Sequence, residues 1–341
     1  MAFADFTKDA WSAIDVRVNL KHVYRRLQLT ARFLIVGTFM DDAVRVLCDY
    51  RGQVYTMKGV GWGNALNMNK QLSQVMPAFF ILTQAIGVFL VLSDAQPQAG
   101  CVTLLLWAGV HPFLYAQQRN LEFLLESVTI IGGLLILLSS ERMSAARAKS
   151  KMAAASEEAT SLVGRKGTNE AQEAADEETG RLLLLGRVFL SAVFVYYVVK
   201  MINERIKNLS SSDKEEPLMA VVYGVLLVFL MVITGLIVMG MKSRWCAMLL
   251  AFIMGCAALY KHPWYITMWS KRTYALDFVV GYEDVQVDAW LYSDHQRYFF
   301  FQQLSTVGAL MQLVVHGPGK YSIDEAEGPE QLVTLTVKGA D

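Results

Sequence analysis

From Met219 to Gly240 the chain reads MAVVYGVLLVFLMVITGLIVMG, without one charged side chain. A helix of that length rises far enough to cross a hydrocarbon core about 30 Å thick, and it leaves no polar face for water. Blocks of the same kind stand at 77–93, 101–116, 123–140, 182–199 and 245–260, and further candidates at 27–49 and 298–316. Hydrophobic residues make up 54% of the chain and charged residues 18%. A soluble enzyme with that composition spreads its apolar residues over short one-faced patterns, not over unbroken runs. The expectation is an all-α polytopic membrane protein with about eight transmembrane helices.

The eight fall into two related sets. RLQLTARFL at 26–34 returns as RLLLLGRVFL at 181–190, which sets Arg32 against Arg187, and His111-Pro112 returns as His262-Pro263. FLLESVTIIGGLLILLSS at 123–140 is echoed by FFFQQLSTVGALMQLVVH at 299–316, with Thr129 against Ser305 and Gly132 against Gly308. Three matches in one order suggest two four-helix repeats. Four crossings return the chain to its starting side, so the repeats are parallel. The expected organisation is a cytosolic N-terminal segment at 1–26, a first repeat at 27–140, and a second repeat at 181–316. Between the repeats, a cytosolic linker at 141–180, rich in Ala, Glu, Ser and Lys, holds short helices or is disordered. A polar, aromatic insertion at 261–297 interrupts the second repeat on the luminal side, and a cytosolic tail follows at 317–341.

Charge sets the orientation. Lys242 and Arg244 occupy the short turn after the sixth helix, and basic residues concentrate before the first helix and in the linker, which places the N-terminus in the cytosol. Asn208-Leu209-Ser210 then falls on the luminal side, so Asn208 is a candidate glycosylation site. Cys48, Cys101, Cys246 and Cys256 stand singly and read as small packing residues.

No phosphate loop, HExxH, GxSxG or CxxC occurs. Neither a cofactor, a metal, nor a nucleic-acid partner is expected. The polar groups inside helices are the candidates for function. The first helix holds Arg32, Asp41, Asp42 and Arg45, and the spacing predicts Asp41–Arg45 and Asp42–Arg45 pairs along one face. Charges in lipid are costly, so that helix faces protein or a polar cavity, unless it lies on the membrane as an amphipathic helix. Glu122 and Glu126 stand one turn apart on the fourth helix, where Asp41 and Asp42 are expected to face them, with Arg32, Arg45 and Arg187 as counter-charges. Such a set holds a bundle together; a carboxylate left without a basic partner becomes a site for a cation, a proton or an amine.

Four segments carry a resemblance: ARFLIVGTFMDDAVR at 31–45, the Gly132-Gly133-Leu134-Leu135 block with Ser140-Glu141-Arg142, Gly186-Arg187-Val188, and YFFFQQLSTVGALMQLVVHGPGKYSIDE at 298–325. Together they resemble the surfeit locus protein 4 family of polytopic cargo receptors of the endoplasmic reticulum, and more distantly small DoxX-type four-helix proteins. The resemblance spans most of 25–325, with 141–180 and 266–297 as insertions. It implies a non-enzymatic receptor that binds soluble secretory proteins on the luminal side and hands them to COPII vesicles, cycling between endoplasmic reticulum, intermediate compartment and Golgi. It also implies COPII coat components as partners, and other membrane cargo receptors or further copies of the chain beside them. The family's polar pattern is matched at Asp42, Arg45, Arg187, Gln302 and Ser305. Two alternatives stand: a membrane redox or quinone-binding protein with a pocket at His111 or His262, and a proton or solute transporter using Asp42 or Glu126.

Overall fold

The computed structural model describes residues 20–59, 70–114, 120–157, 165–210, 217–276 and 285–326. In chain order the helices are α1 (Leu20–Cys48), α2 (Tyr50–Gly59), α3 (Lys70–Leu92), α4 (Pro97–Leu114), α5 (Leu121–Glu157), α6 (Arg165–Ser210), α7 (Pro217–Met239) and α8 (Ser243–Lys261). The short α9 (Trp264–Thr267) follows, then α10 (Ala289–His316) and α11 (Ile323–Ala326). A two-residue antiparallel pair, Tyr274–Ala275 with Gln286–Val287, is the β structure among the described residues. Helices dominate because lipid offers the backbone no partner, so each spanning segment must satisfy its own N–H and C=O groups.

The protein is an all-α, multi-spanning membrane protein. Five described segments are long and apolar enough to cross a bilayer: Ser73–Leu92, Phe123–Ala146, Ala175–Asn203, Ser243–Thr267 and Ala289–His316. Two of the eight expected spans fall short of that measure for visible reasons: charges dilute α1, and Pro97, Gln98 and His111 dilute α4. In α7 the described apolar stretch is Gly224–Met239, part of the uncharged run from Met219 to Gly240. This helix turns Val221, Val225, Val228 and Met231 outward, a surface that water would not tolerate and acyl chains solvate.

Two close helix crossings organise the interior. At the first, a Cβ on Gly132 of α5 would run into the Leu190 amide and lie 2.8 Å from the Gly186 carbonyl oxygen of α6. At the second, a Cβ on Gly308 of α10 would lie 2.8 Å from both the Ala31 oxygen and the Ile35 nitrogen of α1. Only glycine lets these backbones touch, which is how small residues drive association where lipid removes the hydrophobic effect. A hydroxyl marks each seam: Ser305 Oγ donates to Ile35 O at 3.0 Å, and Thr129 Oγ1 donates to Leu125 O in its own helix and reaches Phe189 O at 3.5 Å. Around them Ile35, Leu134, Leu137, Leu190 and Leu310 are fully buried. Further packing sets α3 against α1 and α4, α5 against α4 and α10, and α8 against α7 and α10.

Several boundaries differ from the hydropathy reading. The stretch after Glu141 continues α5 to Glu157, and α6 begins at Arg165, so the flanks of the linker are helical extensions joined by an Arg142–Glu178 ion pair of 2.6 Å. Helix α10, expected from 298, starts at Ala289 after the extended Asp288, because Ala289, Ser293 and Gln296 recur at helical spacing and are all buried. Pro263 ends α8 at Lys261, whereas Pro112 is accommodated inside α4. After His316 the positive φ of Gly317 and Gly319 turns the chain back, and Asp324 closes the turn between α7 and α8. Its carboxylate accepts from Lys242 N at 2.7 Å, Ser243 N at 3.2 Å and Ser243 Oγ at 3.3 Å, capping the otherwise bare start of α8.

Candidate functional site

Ten residues separate Arg32 from Asp42 on α1, about 15 Å along the axis at 1.5 Å per residue. That distance divides the expected polar network into separate clusters at opposite ends of the bundle. The cluster with the most buried charge joins α1 to α10. Arg45 Nε donates to Asp294 Oδ2 at 2.7 Å, and Arg297 bridges Asp41 Oδ1 through Nε at 2.6 Å and Asp294 Oδ1 through Nη2 at 2.9 Å. The Arg45 guanidinium also lies 5.3 Å from the centre of the Tyr298 ring. These contacts replace the expected Asp41–Arg45 and Asp42–Arg45 pairs within α1. Pairs along one helix are worth only about 0.2–0.5 kcal/mol each, and an opposite-charge face on a packed neighbour outcompetes them.

Asp42 stands apart from that chain of charges. It is buried, it accepts from Gln84 Nε2 of α3 at 2.9 Å, and it has no salt bridge among the described residues. It lines a cavity of about 30 Å³ with Thr38, Trp107, His111, Ser127, Tyr298 and Gln302. Such a space accommodates one or two waters. A second cavity of about 20 Å³ is lined by Glu126, Thr129, Tyr197, Gln302 and Gln303. Gln302 and Ile130 line both cavities, so Asp42 and Glu126 approach one polar seam from opposite sides instead of facing one another. Gln302 donates to the Tyr298 hydroxyl at 3.1 Å, and its buried Oε1 has no hydrogen-bond partner among the described residues.

Both histidines of the His-Pro repeats sit near this end, held by packing. His111 stacks between Trp107 and Phe123 at ring separations of 5.5 Å. His262 Nδ1 donates to Gln296 Oε1 at 2.7 Å, its Nε2 accepts from Gln303 at 3.2 Å, and its ring stacks on Phe299. Among the described residues no three His, Cys, Asp or Glu side chains converge on a metal position.

The remaining candidates lie elsewhere. Arg32, expected as a counter-charge for the acidic set, instead reaches Asp94 at 2.8 Å and Glu141 at 2.6 Å at the far end. Arg187, fully buried, donates Nη2 to the Tyr321 carbonyl at that same far end. Ser305 is used in the α1–α10 seam. Asn208 lies in the last turn of α6, and its side chain and that of Glu122 fall outside the described residues.

Sequence reasoning missed Asp294, Arg297 and Gln84. A signal existed for each: one amide inside the apolar block at 77–93, and an acid–base pair three residues apart in a segment with helical periodicity.

Comparisons with known proteins agree over nearly the whole length. The model of the SURF4 family matches residues 13–328. A Surfeit locus protein 4 homolog of Drosophila melanogaster is 24% identical over 299 residues, covering 88% of this chain and 89% of that protein. Its namesake in Schizosaccharomyces pombe is 24% identical over 303 residues, covering 88% and 81%. No solved structure matches the chain.

Proposed function

Because the chain belongs to the SURF4 family, we propose that it is a cargo receptor. In this reading it binds soluble secretory proteins in the lumen of the endoplasmic reticulum and loads them into COPII vesicles for the Golgi. The observation that carries the site assignment is Asp42, a buried carboxylate with an amide partner and no salt bridge among the described residues, facing a cavity walled by Trp107 and Tyr298. A carboxylate beside aromatic faces suits an ammonium, by charge-assisted hydrogen bonding and cation–π attraction. The N-terminal amine of an exported protein supplies that group, and apolar side chains of the bundle hold the residues behind it.

At about 30 Å³ the cavity is too small for a chain terminus, so entry requires the α1–α10 seam to part. The Asp41–Arg297 pair crosses that seam beside the cavity, and the Arg45–Asp294 pair crosses it about one turn nearer the end of the bundle. They form the gate in this proposal, and Asp41 is a second carboxylate at the level of Asp42. Gln302 and Glu126 extend the polar lining inward.

The full architecture proposed is eight spans in two parallel quartets, α1 with α3–α5 and α6–α8 with α10. Support comes from details that occur once in each set. Gly132 meets Gly186 where Gly308 meets Ala31. Asp94 and Lys242, the non-glycine residues of positive φ among those described, each sit in the turn between second and third helix. Arg32 and Arg187 each reach toward that turn. With the N-terminus cytosolic, the Asp42 end of the bundle faces the lumen, and the helical extensions at 141–157 and 165–180 face the coat.

Quantifying secreted proteins from cells lacking the chain tests the function. Specific soluble proteins accumulate inside, and the Asp42→Asn variant, present at normal level in the membrane, fails to restore their export. An unchanged secretome, or full restoration by Asp42→Asn, overturns the proposal or its site respectively.

A further inference from the structure

A cleft of about 600 Å³ lies at the other end of the bundle from Asp42. Arg32 of α1 forms its floor, the turn Asp94–Ala99 one wall, and Glu141, Ser144 and Ala145 of α5 the other. Ligand pockets run from about 300 to 1,000 Å³, so the volume admits a small organic group, unlike the two cavities near Asp42.

Depth narrows the ligand. The turn follows directly on the spanning segment Ser73–Leu92, and residues 141–145 are the last of the span Phe123–Ala146. The cleft therefore lies at the level where hydrocarbon gives way to headgroups. Within about two turns of the cleft, on α3 and α4, Phe89, Leu92, Val102 and Leu106 are exposed, a surface ready for acyl chains.

Charge narrows it again. Arg32 is 7% exposed, spends Nη1 on Asp94 and Nη2 on Glu141, and keeps a buried Nε with no hydrogen-bond partner among the described residues. The Asp94 side chain is 69% exposed, so its outer face is open, while Glu141 is buried. A lone anion in the cleft meets two carboxylates, and a lone cation meets the guanidinium. A group carrying both signs satisfies the lining, its phosphate toward Arg32 and its ammonium toward Asp94.

The second quartet shows what such a corner needs. There the returning segment Gly317–Ala326 fills the space beside Arg187, through the Tyr321 carbonyl and the Asp324 cap on α8. No described segment does the same beside Arg32.

We propose that the cleft of Arg32, Asp94–Ala99 and Glu141–Ala145 binds the headgroup of a zwitterionic phospholipid, with phosphatidylethanolamine preferred. The primary ammonium of ethanolamine donates hydrogen bonds to Asp94, which the quaternary ammonium of choline cannot do. This site needs only α3 and α5 to span the membrane, so it stands or falls independently of cargo binding.

The test uses the full-length purified chain in nanodiscs of mixed phosphatidylethanolamine, phosphatidylcholine and phosphatidylserine, released into native mass spectrometry. Phosphatidylethanolamine is retained in preference to both others, and inorganic phosphate at millimolar concentration does not displace it. Asp94→Asn lowers its occupancy about two- to fivefold, the scale of one charge interaction at an exposed carboxylate. Filling the cleft from exposed positions, with Ala99→Trp or Ser144→Trp, removes it. A phosphatidylethanolamine carrying a photoreactive group beside its headgroup marks peptides containing 94–99 or 141–145 in the unmodified chain, which does not depend on any variant folding. Equal retention of the three lipids, displacement by free phosphate, lipid retained by both tryptophan variants, label elsewhere, or a copurified peptide in the cleft each overturns the proposal.

Discussion

Replacing Arg297 with Met tests the gate most sharply, because a single guanidinium there neutralises two carboxylates. It holds Asp41 at 2.6 Å and Asp294 at 2.9 Å. Asp294 keeps Arg45 at 2.7 Å when Arg297 is lost. Asp41 does not fare as well: its side chain is 6% exposed, and its second oxygen has no hydrogen-bond partner among the described residues. Removing one member of a buried pair and stranding the other typically costs about 3–5 kcal/mol. The Arg297 side chain is itself 19% exposed, so the lower half of that range applies, and Arg297→Met is expected to cost about 3 kcal/mol. Adding Asp41→Asn removes the stranded charge. The double variant should therefore recover stability, with a coupling of about 2 kcal/mol, inside the range seen for contacting residues. The assay is equilibrium unfolding in mixed detergent micelles on titration with dodecyl sulfate, followed by tryptophan fluorescence. A loss under about 1 kcal/mol for the single variant, or a double variant no more stable than the single, refutes the picture of a buried gate.

Other consequences follow from the same geometry. Gly132→Val and Gly308→Val each drive a side chain into a neighbouring backbone that has nowhere to go, and each should cost about 1–3 kcal/mol or more in the same titration. Gly224→Ala and Gly235→Ala meet nothing within 4 Å and should be neutral or stabilising by up to about 1 kcal/mol through helix propensity. Asp324→Ala uncaps α8 and should cost about 1 kcal/mol, seen also as faster amide hydrogen exchange at Lys242 and Ser243. Serine at 324 should restore part of that loss, since its hydroxyl also caps a helix start.

Much of the helical plan was legible because lipid makes hydrophobicity a nearly direct code for spanning segments. The run from Met219 to Gly240 needed no partner to be read, and the repeat set Gly132 against Gly308 before the neighbour of either was known. What failed was pairing. Arg32, Asp41, Asp42 and Arg45 share one helix, and sequence spacing describes only their relations along it. Their partners, Asp94, Glu141, Asp294 and Arg297, lie 62 to 256 residues away, the last two in a segment whose charges looked like surface. The start of α10 was misplaced for that reason. Asp294 and Arg297 lower the hydropathy of its first turns, yet each is neutralised by α1, so the helix extends to Ala289 without leaving a bare charge. Asp42 was legible as a candidate, while its distinction from Asp41 was not, because it depends on which carboxylate Arg297 reaches.

The central claim is that the end of the bundle containing Asp42 receives exported proteins from the lumen. Its most direct measurement places a photoreactive amino acid at Thr38, which lines the cavity, in intact cells, and identifies what is captured on illumination. The account predicts soluble secretory proteins joined through their N-terminal residues, with capture lost in Asp42→Asn. Capture of lipid or small molecules alone, or of the same proteins whether or not Asp42 is ionisable, contradicts it.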